Sequence, residues 1–180
     1  MKYLPVILVA MLGTLSTAAF AGAKLVAQAK LVDSAGNQVG VVNFVETLGE
    51  SVKIEINAHN LTGGAHGVHI HTVGSCVTGS TPAFASAGAH FNPTGAKHGL
   101  VNKAGPHAGD LSNLSVKENG NVTMTDYNDM FTLQTGKSNS VFDADGSAIV
   151  IHANADDNAT DPTGNSGGRV ACGVIEKKAN

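Results

Sequence analysis

Six histidines and one aspartate in this chain stand at spacings that suit metal coordination. They are His69 and His71, then His90, His98 and His107 with Asp110, and finally His152. The chain has eight histidines in all, so His59 and His66 are left outside the set. Imidazole nitrogen combined with carboxylate oxygen suits zinc or copper, whereas calcium and magnesium prefer shells of oxygen. His90, His98, His107 and Asp110 follow one another within one glycine-rich stretch. Three neutral imidazoles and a carboxylate make a closed tetrahedral shell, the usual structural zinc site. On a strand, His69 and His71 project from the same face and leave Val68 and Ile70 for the core. A His-x-His pair alone is weak evidence for a metal. His152, at the end of the apolar run 148–151, reads equally well as a satisfied core histidine.

The elements that must hold these groups read as strands. Short segments rich in Val and Ile occur at residues 25–32, 38–46, 52–58, 67–71, 121–125, 130–134, 147–152 and 169–175, with turn sequences at 33–37 and 48–51. No segment has a convincing amphipathic helical period. The pattern predicts an all-β, eight-stranded antiparallel Greek-key barrel or sandwich. Tryptophan is absent and aromatics make up 4% of residues, so Val, Ile, Leu and Ala must fill its core. Residues 74–110 and 153–168 fit no strand, and loops this long inside a compact domain are usually functional. The tail 176–180 is expected to fray.

Formal charge is −3 with no basic run, which argues against nucleic acid as a partner. The start resembles an export signal: Lys2, an apolar stretch at 4–15, and Ala19-Phe20-Ala21 as a small-x-small cleavage site. Residues 1–21 are thus expected to be a signal peptide and 22–180 a single domain, with no membrane span after processing. Losing Lys2 turns the charge of −3 into −4. Cys76 and Cys172, the only cysteines, would meet an oxidising compartment. A bridge between them would close a loop worth on the order of 4–5 kcal/mol in the chain-entropy model. Two buried free thiols are the alternative.

Taken together the motifs resemble the copper/zinc superoxide dismutase family. The resemblance runs through Gly67-Val68-His69-Ile70-His71, Gly88-Ala89-His90-Phe91-Asn92-Pro93, Lys97-His98-Gly99, Pro106-His107-Ala108-Gly109-Asp110-Leu111, residues 147–152, and the stretch 164–175 with Arg169 and Cys172 in register. It implies one copper and one zinc per chain. Copper would be held by His69, His71, His90 and His152, and zinc by His90, His98, His107 and Asp110. Asp156 matches the family's aspartate that bonds one histidine from each set, here His69 and His98. Arg169, the sole arginine, matches the residue that draws the anionic substrate, superoxide, to copper. A guanidinium is always charged and suits a two-oxygen anion. The implied reaction is dismutation of superoxide to oxygen and hydrogen peroxide, with His90 as a catalytic bridge between the metals.

The export signal and the Gly74-Ser75-Cys76 context resemble bacterial periplasmic members, or secreted ones in a host without a periplasm. Residues 153–168 contain acids but no lysine, which leaves Lys97 and Lys103 as the candidates to assist steering. The charged end, Glu176-Lys177-Lys178, argues for a monomer or a homodimer unlike the eukaryotic one. Sequons at Asn60, Asn113, Asn121 and Asn158 matter only in a eukaryotic secretory host. A non-enzymatic exported copper-binding or delivery protein on the same fold is the alternative function. It needs ligands, but neither a bridging histidine nor a guiding arginine.

Overall fold

The computed structural model describes residues 27–47 and 51–178. The expected signal peptide, residues 22–26, the turn residues 48–50 and the last two residues lie outside the described residues.

Among the described residues ten strands form in chain order. They are β1 (Ala27–Asp33), β2 (Gln38–Glu46), β3 (Val52–Ala58), β4 (Gly64–His66), β5 (Val68–His71), β6 (Leu114–Val116), β7 (Val122–Asn128), β8 (Ala148–His152), β9 (Arg169–Val174) and β10 (Glu176–Lys177). Helical structure among the described residues is a single 3-10 turn, Ala85–Ala87. One curled antiparallel sheet runs β5-β8-β9-β1-β2-β3-β7, with β10 on β1, while β4 and β6 pair separately. The jumps in this order, β5 to β8 and β1 to β9, are Greek-key crossovers.

Alternation accounts for the inner wall. In β3, Val52, Ile54, Ile56 and Ala58 are buried. Lys53 and Glu55 point outward and pair at 2.6 Å. Ala27, Ala29 and Leu31 do the same for β1, and Phe44 crosses from β2. β5 and β8 are buried on both faces, for a different reason on each. Val68, Ile70, Ile149 and Ile151 enter the main core. On the opposite face Ala148 and Val150 pack under Phe84, Ala87 and Cys172 of the covering loop and β9. That outer face also carries His69, His71 and His152.

β5 pairs with β8 on one edge only. Its other edge is closed by backbone of the long loop: Ile70 N–H donates to Gly109 O and Phe91 N–H to Ile70 O, both at 2.8 Å. The loop is thereby stitched along the strand that carries the His-x-His pair.

Two expectations differ from the fold, and two short strands were not foreseen. Residues 130–134 are not a strand; Thr132 alone makes a bridge, to Ser140. The alternation there is real, since Phe131 and Leu133 are buried. They plug the core from a turn-rich segment whose partner, 139–141, is not extended. The tail does not fray at once, because Glu176 and Lys177 pair with Gln28 and Ala27. β4 and β6, three residues each, were too short to leave a period.

Candidate metal centre

β5 delivers His69 and His71 from one face, and β8 places His152 beside them at its end. The register of β8 on β9 sets His152 opposite Arg169. His90, His98, His107 and Asp110 arrive from the loop stitched to β5, where bridges join His71 to His90 and His69 to Asp110. All seven groups are at most 5% exposed. Ligand atoms of His69, His71, His90 and His152 lie within 4.8 Å of one another, as do those of His69, His90, His98 and Asp110.

Hydrogen bonds on the outside of the cluster fix which ring nitrogen faces inward. His71 Nδ1–H donates to Gly88 O at 3.0 Å and His152 Nδ1–H to Gly167 O at 3.2 Å. Each ring then keeps its lone pair on Nε2, and these two nitrogens face each other at 3.4 Å. Two lone pairs so placed repel unless a cation lies between them. His69 Nε2–H donates to Asp156 Oδ2 at 2.5 Å, which leaves Nδ1 for the interior. Among the described residues, the buried side-chain polar atoms without a partner are His69 Nδ1, His90 Nε2, His107 Nδ1 and Ser147 Oγ. Three of these four are ring nitrogens of this one cluster, and orphaned buried nitrogens are what metal ligands look like before the ion is counted.

The second convergence centres on Asp110 Oδ1. It lies 3.0 Å from His98 Nδ1, 3.2 Å from His90 Nδ1 and 3.4 Å from His107 Nδ1. A tetrahedral zinc with bonds near 2.0 Å has ligand-to-ligand edges of about 3.3 Å. His107 therefore belongs here. His69, although close, has spent Nε2 on Asp156, and its ring stacks on His90 at 3.8 Å. His90 is shared, with Nδ1 toward Asp110 and Nε2 toward the first group. The donor set and its spacing fit metal ions of the copper and zinc kind, and His90 belongs to both groups.

Asp156 spans the two groups. Its Oδ2 takes His69, and its Oδ1 takes His98 Nε2–H at 3.0 Å. Gly164, at φ +61°, packs so closely on this carboxylate and on His98 that no side chain fits there. Asn113 grips the backbone of Asp156 at both ends: its Oδ1 accepts Asp156 N–H and its Nδ2 donates to Asp156 O, each at 2.8 Å. His66 is buried with Nδ1 2.7 Å from His152 O and Nε2 2.8 Å from Thr62 O, which ties a loop to the end of β8. Sequence reasoning missed the roles of Asn113 and His66, because Asn113 acts on the backbone of Asp156 and His66 on that of His152, both distant in sequence.

The electrostatics set His98 apart, for burial lowers His107 as it lowers His69, His71 and His152. Burial pushes His69 down to about 4, His71 to about 2 and His152 to about 3, so these rings are neutral at ordinary pH. Burial also acts on His98, but hydrogen bonds to Asp110 and Asp156 outweigh it and raise the ring to about 9. Burial opposes ionisation of Asp110, yet His90 and His98 hold its carboxyl far below the usual range.

A cavity of about 430 Å³ opens over the first group, lined by His71, His90, His152, Thr163 and Arg169 among others. The Arg169 guanidinium donates to Phe84 O at 2.5 Å and to Gly88 O at 2.6 Å. Phe84 is buried with φ 54°, a strained conformation that turns its carbonyl to the arginine. Cys76 and Cys172 form a disulfide, which ties the loop bearing those carbonyls to β9, three residues beyond Arg169. Lys97 and Lys103 do not line the cavity, and Lys97 pairs with Asp161 at 2.9 Å.

The family model described as copper/zinc superoxide dismutase matches residues 38–175. A copper/zinc superoxide dismutase of Aquifex aeolicus is 45% identical, over 84% of this chain and 86% of that protein. One from Caulobacter vibrioides is 40% identical, over 78% and 80%. The crystal structure of a superoxide dismutase-like protein from Bacillus subtilis, 42% identical, covers 81% of this chain and 95% of its own, with a TM-score of 0.75. Matches of this extent, on a fold that builds a paired metal site from the same motifs, leave one assignment: the chain belongs to the copper/zinc superoxide dismutase family, enzymes with copper and zinc as their metals.

Proposed function

We propose that His69, His71 and His152 with His90 hold copper, that His98, His107 and Asp110 with His90 hold zinc, and that the cavity above His90 turns over superoxide. Two superoxide anions and two protons give one oxygen and one hydrogen peroxide. Copper supplies the one-electron couple and zinc a fixed positive charge that cannot change oxidation state. The chain does the rest. Arg169, with two donors committed to Phe84 and Gly88, offers those remaining to the anion. His90 Nε2 faces the cavity group and, when not engaged there, holds a proton for the peroxide product. Asp156 keeps His69 and His98 in one tautomer each and raises their basicity.

The observation that carries this reading is the pair of inward lone pairs on His71 and His152 beside the unpartnered Nε2 of His90, under Arg169. The test is metal content per chain with superoxide consumption, for the wild type and His90→Ala. We expect one copper and one zinc in the wild type. His90→Ala should retain copper while losing the spectroscopic signature of a bridged pair. Copper uptake without superoxide consumption would favour the delivery protein, a reading with no structural feature of its own in support.

Export and cleavage after Ala21 are part of the proposal. The Cys76–Cys172 bridge suits an oxidising compartment, and no helix among the described residues is long and apolar enough to cross a membrane. N-terminal sequencing of the mature protein should begin at Gly22. The exposed, charged β10 favours a monomer or a dimer unlike the eukaryotic one, which sedimentation would resolve.

A further inference from the structure

Four terminal imidazoles of the centre use their outward nitrogens. His69 and His98 donate to Asp156, His71 to Gly88 O and His152 to Gly167 O. His107 breaks the pattern: among the described residues its outward Nε2 has no partner at hydrogen-bond length, and the carboxylate facing it is Asp161 Oδ1 at 3.9 Å. Asp161 is not a loose surface acid. Its Oδ1 accepts the backbone N–H of His98 at 2.8 Å and its Oδ2 accepts Lys97 Nζ at 2.9 Å. One carboxylate from the 153–168 loop thus contacts two residues of the loop 74–110 and faces the ring of a third. Its neighbours Pro162 and Thr163 line the substrate cavity.

We propose that Asp161 is a second outer carboxylate of the metal centre, a positioning residue that orients His107 through its ring and His98 through its backbone. Asp156 serves both halves, whereas Asp161 serves the zinc half alone. Closing the remaining gap takes a shift of about 1 Å, to the usual N–H···O length. Lys97 keeps the carboxylate turned inward, so its charge acts on Asp161 and is withdrawn from the approaching anion. Loss of an outer partner that fixes a ligand ring typically costs about 10–100-fold in metal affinity.

The inference rests on the assignment of zinc to His98, His107 and Asp110, and the test separates the two. Zinc affinity of the metal-depleted full-length protein is measured by chelator competition, copper affinity likewise, with Co(II) as a visible-spectrum probe of the zinc half. Asp161→Asn keeps an acceptor for His98 N–H and loses the charge facing His107. It should weaken zinc about tenfold or more, alter the Co(II) bands, and leave copper affinity as in the wild type. Asp161→Ala should weaken zinc further. If Asp161→Asn binds zinc like the wild type while Asp110→Ala does not bind it, the inference fails and the site assignment stands. If zinc and copper weaken equally, together with a lower Tm of the metal-free protein, Asp161 is a structural staple only and the inference fails. If Asp110→Ala binds zinc unchanged, the assignment itself is wrong.

Discussion

The two halves of the centre share His90 and differ in almost everything else. The half built from His69, His71 and His152 stands on paired strands, with each ring locked by a backbone or Asp156 acceptor and held neutral by burial. The half built from His98, His107 and Asp110 stands on a loop, and a carboxylate at its centre gathers the rings. A redox ion that must attract an anion profits from neutral ligands, because they leave its positive charge unspent. An ion that must order a loop profits from a carboxylate, because binding then becomes folding energy.

The largest effect should come from breaking the loop half. Asp110→Ala removes the charge on which His90, His98 and His107 converge, and should cost about 3–5 kcal/mol, as for loss of one member of a buried charged pair. Zinc should be lost and amide exchange should rise across residues 74–110. His152→Ala should impair copper and leave that exchange as in the wild type. Equal exchange in both variants would erase the distinction between a preformed half and a metal-ordered one.

Arg169→Ala should lower turnover about tenfold or more, within the range of electrostatic steering, with both metals retained. Its salt dependence should flatten, since fields beyond about 8 Å are screened at physiological salt. Lys97, tied to Asp161, leaves little slope behind. An unchanged slope would move the guidance to other groups.

The metal-free protein offers a pH test of the same contrast. His98 is raised from 6.5 to about 9, so its contribution is complete below 6.5 and is lost as pH rises to about 9. His69, His71 and His152 are lowered, so the unfolded chain takes up protons first and stability falls as pH drops below 6.5. Thermal unfolding of the metal-free protein should therefore peak near the ordinary histidine value and decline on both sides. Zinc loading should abolish the alkaline limb and release a proton from His98 at neutral pH, measurable by calorimetry in buffers of different ionisation heat. Copper loading should release none from its three terminal histidines.

The smallest effect is the most diagnostic of the bridge between halves. Asn113→Ala frees the backbone of Asp156 and should cost about 1–2 kcal/mol for the lost hydrogen bonds. Because Asp156 holds both His69 and His98, copper and zinc should weaken together. Selective loss of one metal would show that Asp156 is fixed mainly by something else.

That His69, His71, His90, His98, His107, Asp110 and His152 come together was legible because the histidines and Asp110 recur through two motifs, one of them a His-x-His that a strand turns to a single face. The longer strands were legible from alternation or, at residues 148–151, from an unbroken apolar run. Residues 130–134 carried the same alternation, yet Phe131 and Leu133 serve as a plug, because a ladder needs a partner and the sequence does not name one. Asn113 read only as a sequon, although both ends of its amide are committed to Asp156. Its bonds span 43 residues and end on backbone, which leaves no mark in a motif. His66 was silent for the same reason.

The Gly88 carbonyl oxygen accepts from the guanidinium of Arg169 and from the ring of His71. A single atom therefore serves two traits that selection would otherwise adjust one at a time: how strongly the anion is drawn, and how firmly one metal ligand is set. A loop change that swings this oxygen toward the arginine takes it from the imidazole. Variation near residue 88 is thus pleiotropic, and redesign of substrate capture here has to begin by giving His71 another acceptor.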